Sequence, residues 1–358
     1  MSGLLINGRF LTRPLTGVDR FAIELMEAYS ASVPADAPKP RVMTPDAPLV
    51  NPPAFASRSE LLRVGQRQGH LWEQLDLPRA AGDAPLVNLC NTAPALRRQQ
   101  MVVVHDAATV ANPGNYSLAF RSWYRLMLGS ALKRSRVVAT VSAFSAGELS
   151  QHFGRALKDI EVIPESGEHI LRDAADPSTV QRLGLEGKPF VLAVGSLSPN
   201  KNFGAVVAAM ALLGDNAVPL VAVGGGNSKV FADSSAAGPG IVRTGYVSDA
   251  QLRALYEAAS CFVFPSFYEG FGLPPLEAMA CACPVIVSRC ASMPEVCGEA
   301  ALYCDPHDPT TLATELRRLL GSESLRADLR AAGAARSAQF TWARAGAVFD
   351  DIVKRRLA

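Results

Sequence analysis

Nowhere in these 358 residues do roughly 20 apolar side chains run uninterrupted, as a membrane-spanning helix requires. The first residues, Met1-Ser2-Gly3-Leu4-Leu5-Ile6, pass straight into a short apolar strand without a basic segment or a cleavage site. No signal peptide is visible, and the expected location is the cytoplasm. An excess of one charge is also missing. The 35 basic and 33 acidic side chains leave a net +2, which gives no reason to expect nucleic acid as a partner. Cysteine is present in an odd number, seven, with six of them between Cys261 and Cys304. Cys281-x-Cys283 has no second CxxC or HxxxH pair to complete a metal site, so buried thiols are expected rather than zinc or disulfides. No G-x-G-x-x-G follows the first strand, and Gly224-Gly225-Gly226-Asn227 does not have that spacing, which argues against a nicotinamide dehydrogenase.

What is there points to a folded chain. Hydrophobic residues make up 49% and charged residues 19%, a balance that excludes disorder, collagen and coiled coil. The length exceeds what one core organises, so two domains of about 150–180 residues are expected. Short β-rich apolar runs alternate with longer amphipathic stretches, the pattern of βαβ units around parallel sheets. In the first half, residues 4–7, 86–90, 101–105 and 137–141 read as strands, and 19–30 and 116–134 as helices. The Pro- and Ala-rich region 33–53 reads as irregular. Polar, Gly-containing sequence after Pro164, running to Ser178, reads as the interdomain linker.

The second half restarts the pattern. Strands are expected at 190–194, 220–223, 241–244, 261–265 and 285–288, and helices at 204–213, 249–259, 274–282, 310–320, 324–338 and 342–356. Neither half shows a hairpin signature or a short-period repeat. The architecture most favoured is α/β, with two Rossmann-like domains, 1–168 and 178–340, facing each other across a cleft, and 341–358 forming a terminal helix. The halves differ in charge. Residues 1–165 hold 18 Lys/Arg against 14 Asp/Glu, and the remainder 17 against 19. Arg121, Arg125, Lys133, Arg134 and Arg136 fall on one helical stretch of the basic half. They read either as a solvated face or as attraction to anionic lipid or an anionic acceptor.

In open α/β sheets, ligands bind beyond the carboxyl ends of strands. The richest segment of that kind runs from Phe264 to Ala280. A strand ends, Gly270 and Gly272 allow a tight turn, and Pro274 and Pro275 open a helix where a missing N–H does least harm. The free amides and the positive end of the helix suit a phosphate or diphosphate. Glu269 and Glu277 flank the turn eight residues apart, and carboxylates accept paired hydrogen bonds from sugar hydroxyls. From spacing alone, the same two residues read equally well as a turn residue and a favourable helix-start acid.

The E-x7-E arrangement in Glu269…Glu277, inside EGFGLPPLEAMA, resembles the signature of retaining glycosyltransferases of family 4, which have the GT-B fold. The resemblance covers nearly the whole chain. Gly195-Ser196-Leu197-Ser198-Pro199-Asn200-Lys201-Asn202 is similar to the family's phosphate-binding loop, and Gly245-Tyr246-Val247-Ser248-Asp249 to its base-contacting turn. Met293-Pro294-Glu295-Val296 with Ala300-Ala301-Leu302 resembles its PEV…AAL stretch. In the first half, Asn7-Gly8-Arg9, Thr16-Gly17-Val18-Asp19-Arg20, Trp72-Glu73-Gln74 with Leu77-Pro78, and His105-Asp106 resemble a branch rich in mannosyltransferases.

The resemblance implies roles. Lys201 would contact the donor diphosphate and offset charge on the leaving group. Glu277 would hold the nucleotide ribose, and Glu269 would face the donor hexose. Gly270, Phe271, Gly272 and Leu273 would orient sugar and phosphate through their amides. Gly17 would let diphosphate or acceptor approach closely, Tyr246 and Val247 would contact the base, and His105 would touch the sugar near its reacting carbon. A lone histidine at a strand end is otherwise more often structural. Many members carry arginine where Ser196 stands here, which leaves that cation unplaced; Arg20 is a weak candidate. The C-terminal helix, entered through Phe340-Thr341-Trp342, would cross back to the first domain.

The activity implied is a hexosyltransferase of surface polysaccharide synthesis. It would move a hexose, with mannose from GDP-mannose suggested, to a saccharide or lipid-linked acceptor. The donor base, guanine or uracil, is not fixed by the sequence. Retention would follow a same-face route in which the donor's own phosphate oxygen takes the acceptor proton, since no nucleophile with a partner acid at about 5 Å is evident. No D-x-D tripeptide occurs, so neither a metal nor another cofactor is expected. Peripheral membrane contact through the first domain is a further expectation. Two competing readings are a sugar-nucleotide epimerase or hydrolase of the same fold and a catalytically silent nucleotide-sugar-binding protein.

Overall fold

A computed structural model describes residues 4–50, 52–112, 114, 118–196, 198–225 and 240–357. Met1, Ser2, Gly3, Tyr116, Leu197, Gly226 and Asn227, named above, lie outside the described residues. The chain divides into two compact units, Met1–Glu165 with Trp342–Ala358, and Ser166–Thr341.

The first unit is built on seven parallel strands: β1 (Leu5–Asn7), β2 (Arg41–Thr44), β3 (Glu60–Arg63), β4 (Leu86–Asn88), β5 (Gln100–Val103), β6 (Val137–Thr140) and β7 (Ile160–Val162). Their order is β3-β2-β1-β4-β5-β6-β7. The central strands are buried on both faces, as the βαβ crossovers of a parallel sheet demand, whereas β3 is a largely exposed edge. The helices include α1 (Gly17–Ser32), α2 (Leu118–Arg134) and α3 (Ala143–Phe153).

Region 33–53 is not wholly irregular. Between Pro40 and Pro45, β2 buries Val42 and Met43 and pairs with β1 on one side and β3 on the other. A four-residue strand bounded by prolines carries too little periodicity to stand out from the sequence.

The second unit repeats the plan with six parallel strands: β8 (Val191–Val194), β9 (Leu220–Val223), β10 (Ile241–Gly245), β11 (Cys261–Phe264), β12 (Val285–Ser288) and β13 (Leu302–Cys304). The order is β10-β9-β8-β11-β12-β13. Its helices include α4 (Phe203–Ala211), α5 (Asp249–Ala258), α6 (Leu273–Ala280), α7 (Pro309–Leu320) and α8 (Glu323–Ser337).

Residues 166–177, expected to be linker, are part of this unit. Gly167 lies against α6 so tightly that a Cβ there would stand 2.5 Å from the Leu276 carbonyl carbon, and Asp176 N–H donates to Ala250 O at 2.9 Å. The last helix, α9 (Trp342–Ile352), belongs to the first unit and packs along α1, with Phe349 edge-on to Tyr29 at 5.1 Å. It gives way to a wider turn at Val353–Leu357 instead of continuing as α-helix to 356.

Candidate functional site

Each sheet reverses its direction of strand addition once, between β1 and β4 in the first unit and between β8 and β11 in the second. Loops leaving the two strands at such a point diverge and leave a crevice at the carboxyl edge. In the second unit those loops are residues 195–202 and 265–272, which contain Lys201 and Glu269.

The two loops are laced together. Lys201 Nζ donates to Glu269 Oε1 at 2.8 Å and stands 4.8 Å from the centroid of the Phe264 ring. Asn200 donates from its side chain to Tyr268 O at 3.2 Å and accepts at its own carbonyl from Phe267 N–H at 2.9 Å. Asn202, at φ 54°, spans from Pro265 O (3.0 Å) to Pro306 O (2.7 Å) with one amide group. The Lys201 and Glu269 side chains keep 22% and 15% of their surface, so both are partly open to solvent.

Beyond Glu269 the turn is held from below. Ser292 Oγ lies 2.6 Å from Phe271 O and 3.0 Å from Glu269 O and donates to the nearer. Gly272 has φ 111°, a conformation side chains avoid, and a Cβ there would meet Met293 at 2.3 Å. Leu273, Pro274 and Pro275 then start α6, the prolines falling where the helix has no use for an N–H.

Glu277, one turn further, is nearly buried. Its Oε1 lies 2.9 Å from His169 Nε2 and its Oε2 3.2 Å from the Tyr256 hydroxyl. Burial first, and then the Glu277 charge, push the Tyr256 phenol well above its ordinary pKa, so it stays a donor.

Beside the Lys201 loop lies a cavity of about 300 Å³. Gly195, Ser196, Lys201, Gly224 and Gly245 line it together with the apolar Phe203, Val206 and Phe264. Gly224 is required there: a Cβ would stand 2.2 Å from Gly195 O. Arg243 also lines the cavity, a residue that the sequence reading did not single out. Ser196 is exposed and bonded to Ser198 at 3.2 Å. Tyr246 and Val247 are not among the lining residues, and Tyr246 is 78% exposed.

In the first unit His105 follows β5, 5% exposed. Its Nδ1 faces Glu165 Oε1 at 3.1 Å, its Nε2 faces Leu89 O at 3.0 Å, and Phe21 packs edge-on at 4.7 Å. Both nitrogens are therefore engaged within the unit. Gly17 opens α1 behind a capping box of Thr16 and Asp19. No atom lies within 4 Å of a Cβ built on Gly17, so nothing in its own unit demands glycine.

A network that the sequence did not reveal sits at the β1/β4 reversal. Glu73 accepts from Asn7 (2.9 Å) and Thr92 (2.8 Å), and Arg9 reaches Thr92 at 3.0 Å. Burial raises the Glu73 pKa, but His70, Arg9, Thr92 and Asn7 together outweigh it and hold the carboxylate below its usual range. Nothing in the spacing of these residues announces the cluster, because the fold brings three separate segments together.

Two parallel sheets of seven and six strands, each with its reversal point, are the GT-B architecture of glycosyltransferases. Solved structures agree. Sucrose-phosphate synthase from Thermosynechococcus elongatus superposes with a TM-score of 0.79 over 99% of both chains at 18% identity. Anabaena HepE in complex with UDP-glucose gives 0.76 over 99% of this chain and 100% of that one, also at 18%. The family model described as glycosyl transferases group 1 matches residues 177–336. The O-antigen chain mannosyltransferase B of Escherichia coli is 30% identical over 92% of this chain and 93% of its own length. The chain belongs to the group 1 glycosyltransferases.

Proposed function

We propose that this glycosyltransferase moves mannose from GDP-mannose to a saccharide or lipid-linked acceptor during surface polysaccharide assembly, with retention at the anomeric carbon and without a metal. The observation that carries the reading is the Lys201–Glu269 contact at the β8/β11 reversal, with Glu277 on the adjoining helix. The Escherichia coli relative, by its name an O-antigen mannosyltransferase, supports the sugar and the setting.

In this reading Lys201 neutralises the departing diphosphate together with the amides of Gly270, Phe271, Gly272 and Leu273. Arg243 and Ser196 line the pocket on the nucleotide side. Glu269 orients the hexose. Its carboxylate, already paired with Lys201, is a poor nucleophile, which favours a same-face reaction: the donor phosphate oxygen takes the acceptor proton as the glycosidic bond breaks. The protein's part is orientation and electrostatics. To His105 we assign a hydrogen bond to a sugar hydroxyl, made by the Nε2 that faces Leu89 O.

Among the described residues no helix is long and apolar enough to cross a membrane. We assign peripheral contact to α2, where Leu118 and Leu126 are exposed alongside Arg125 and Lys133. The test is turnover of GDP-mannose and UDP-glucose with and without a saccharide acceptor, in the presence of EDTA. Acceptor-dependent mannosyl transfer with an α-linked product is expected. Turnover of donor alone, inverted product or loss of activity in EDTA would overturn the corresponding part. Co-sedimentation with anionic vesicles, reduced by Leu126→Glu, checks the membrane contact.

A further inference from the structure

Glu277 is fixed by two side chains that belong to no motif. His169 comes from the short helical turn Glu168–Leu171 at the start of the second unit, and Tyr256 from α5. The His169 ring is almost wholly enclosed. Its Nδ1 faces Ser166 O at 3.2 Å while Nε2 faces Glu277 Oε1 at 2.9 Å. An N–H on Nε2 donates to the Glu277 carboxylate. Ser166 is itself anchored, its hydroxyl donating to Phe340 O at 2.8 Å, and Gly167 lies flush against the backbone of Leu276 and Glu277. The ring therefore has little freedom, and neither has the carboxylate it holds.

We infer that His169, with Tyr256, is a positioning residue that aims Glu277 at the two hydroxyls of the nucleotide ribose. This rests on the reading of Glu277 given above. A carboxylate offers about four acceptor directions. His169 takes one on Oε1 and Tyr256 one on Oε2, which leaves one on each oxygen for a vicinal diol. About a tenth of the Glu277 side chain remains open, enough for hydroxyls to approach and too little for a solvated, swinging carboxylate. A free glutamate would lose rotamer entropy on binding the ribose; the clamped one has lost it on folding.

The experiment measures binding of GDP and UDP, each against its 2′-deoxy counterpart, by calorimetry. The folded chain should prefer the ribonucleotide by roughly tenfold, one charge-assisted hydrogen bond. Glu277→Ala should abolish that preference. His169→Leu and Tyr256→Phe should each shrink it severalfold by weakening the ribonucleotide alone, and His169→Gln, which keeps an N–H near Nε2, should restore most of it. A merely structural histidine would weaken both nucleotides equally. If Glu277→Ala abolishes the preference while His169→Leu and Tyr256→Phe both keep it, the positioning role is wrong and the ribose reading stands. If the unaltered chain shows no preference, or keeps it in Glu277→Ala, both are wrong. Should His169→Leu fail to fold, Tyr256→Phe, which removes one hydroxyl and little volume, carries the same test.

Discussion

Lys201 has two neighbours competing with any ligand for its charge, the Glu269 carboxylate at 2.8 Å and the face of Phe264 at 4.8 Å. Without a donor the pair offsets the cost of holding an ammonium half out of water. With a diphosphate nearby, the ammonium serves two anions at once, and its position is already fixed. Lys201→Ala should therefore lower kcat about 10²- to 10³-fold and reduce nucleotide affinity less, since the charge is needed most as the leaving group forms. Lys201→Arg should recover only part, because a planar fork does not fit a point-charge position. Initial rates at saturating donor check this, and a loss below about threefold in the alanine variant would remove Lys201 from the chemistry. At this scale the loops were legible, because Lys201, Glu269 and Glu277 stand in short segments of fixed spacing. Their partners were not. His169 is 108 positions from Glu277 and Tyr256 is 21 away, so only the fold brings them together.

Elements were legible in proportion to their apolar length. The buried runs at β8, β11 and β12 and the long amphipathic α7 and α8 stand out, whereas β2 and β3 begin and end with polar residues and β13 is only three residues long. The helix α3 was overlooked although its ends are marked: Ser142 caps it by accepting from Ser145 N–H at 3.0 Å, and Gly154 closes it at φ 70°. The terminal helix α9 was expected to return to the first domain, and its packing explains what holds it there. Trp342 and Phe349 are buried, Gly346 lets the helix approach α1 so that a Cβ would stand 3.1 Å from Ala28 Cβ, and Arg356 pairs with Glu161 at 3.0 Å. Phe349→Ala should cost about 3–5 kcal/mol of first-unit stability, the usual result of emptying an aromatic site in a core. Urea unfolding followed by tryptophan fluorescence measures it. A loss under about 1 kcal/mol would mean that α9 only rests on the unit.

Taken whole, the two units share a plan but not a chemistry, and alkaline solution should separate them. Six of the seven cysteines are in the second unit, all free. Burial pushes Cys261, Cys281, Cys297 and Cys304 up to about 12, and Cys283 and Tyr256 rise well above their ordinary values for the same reason. In the unfolded chain these thiols ionise near 9. Between about pH 9 and about pH 12 the unfolded state therefore releases protons that the folded unit keeps, and stability falls as pH rises; below about pH 8 the effect is absent. Among the described thiols and phenols of the first unit, Cys90 and Tyr29 are raised in the same direction. It also contains all three tryptophans, Trp72, Trp123 and Trp342. Fluorescence therefore reports the first unit alone, while thiol exposure to an alkylating reagent reports mainly the second. Raising the pH from about 8 to about 10.5 should move the urea midpoint of thiol exposure well down and the fluorescence midpoint much less. Midpoints that fall together by the same amount would show the chain unfolding as one cooperative body, with the buried thiols setting the alkaline limit for all of it.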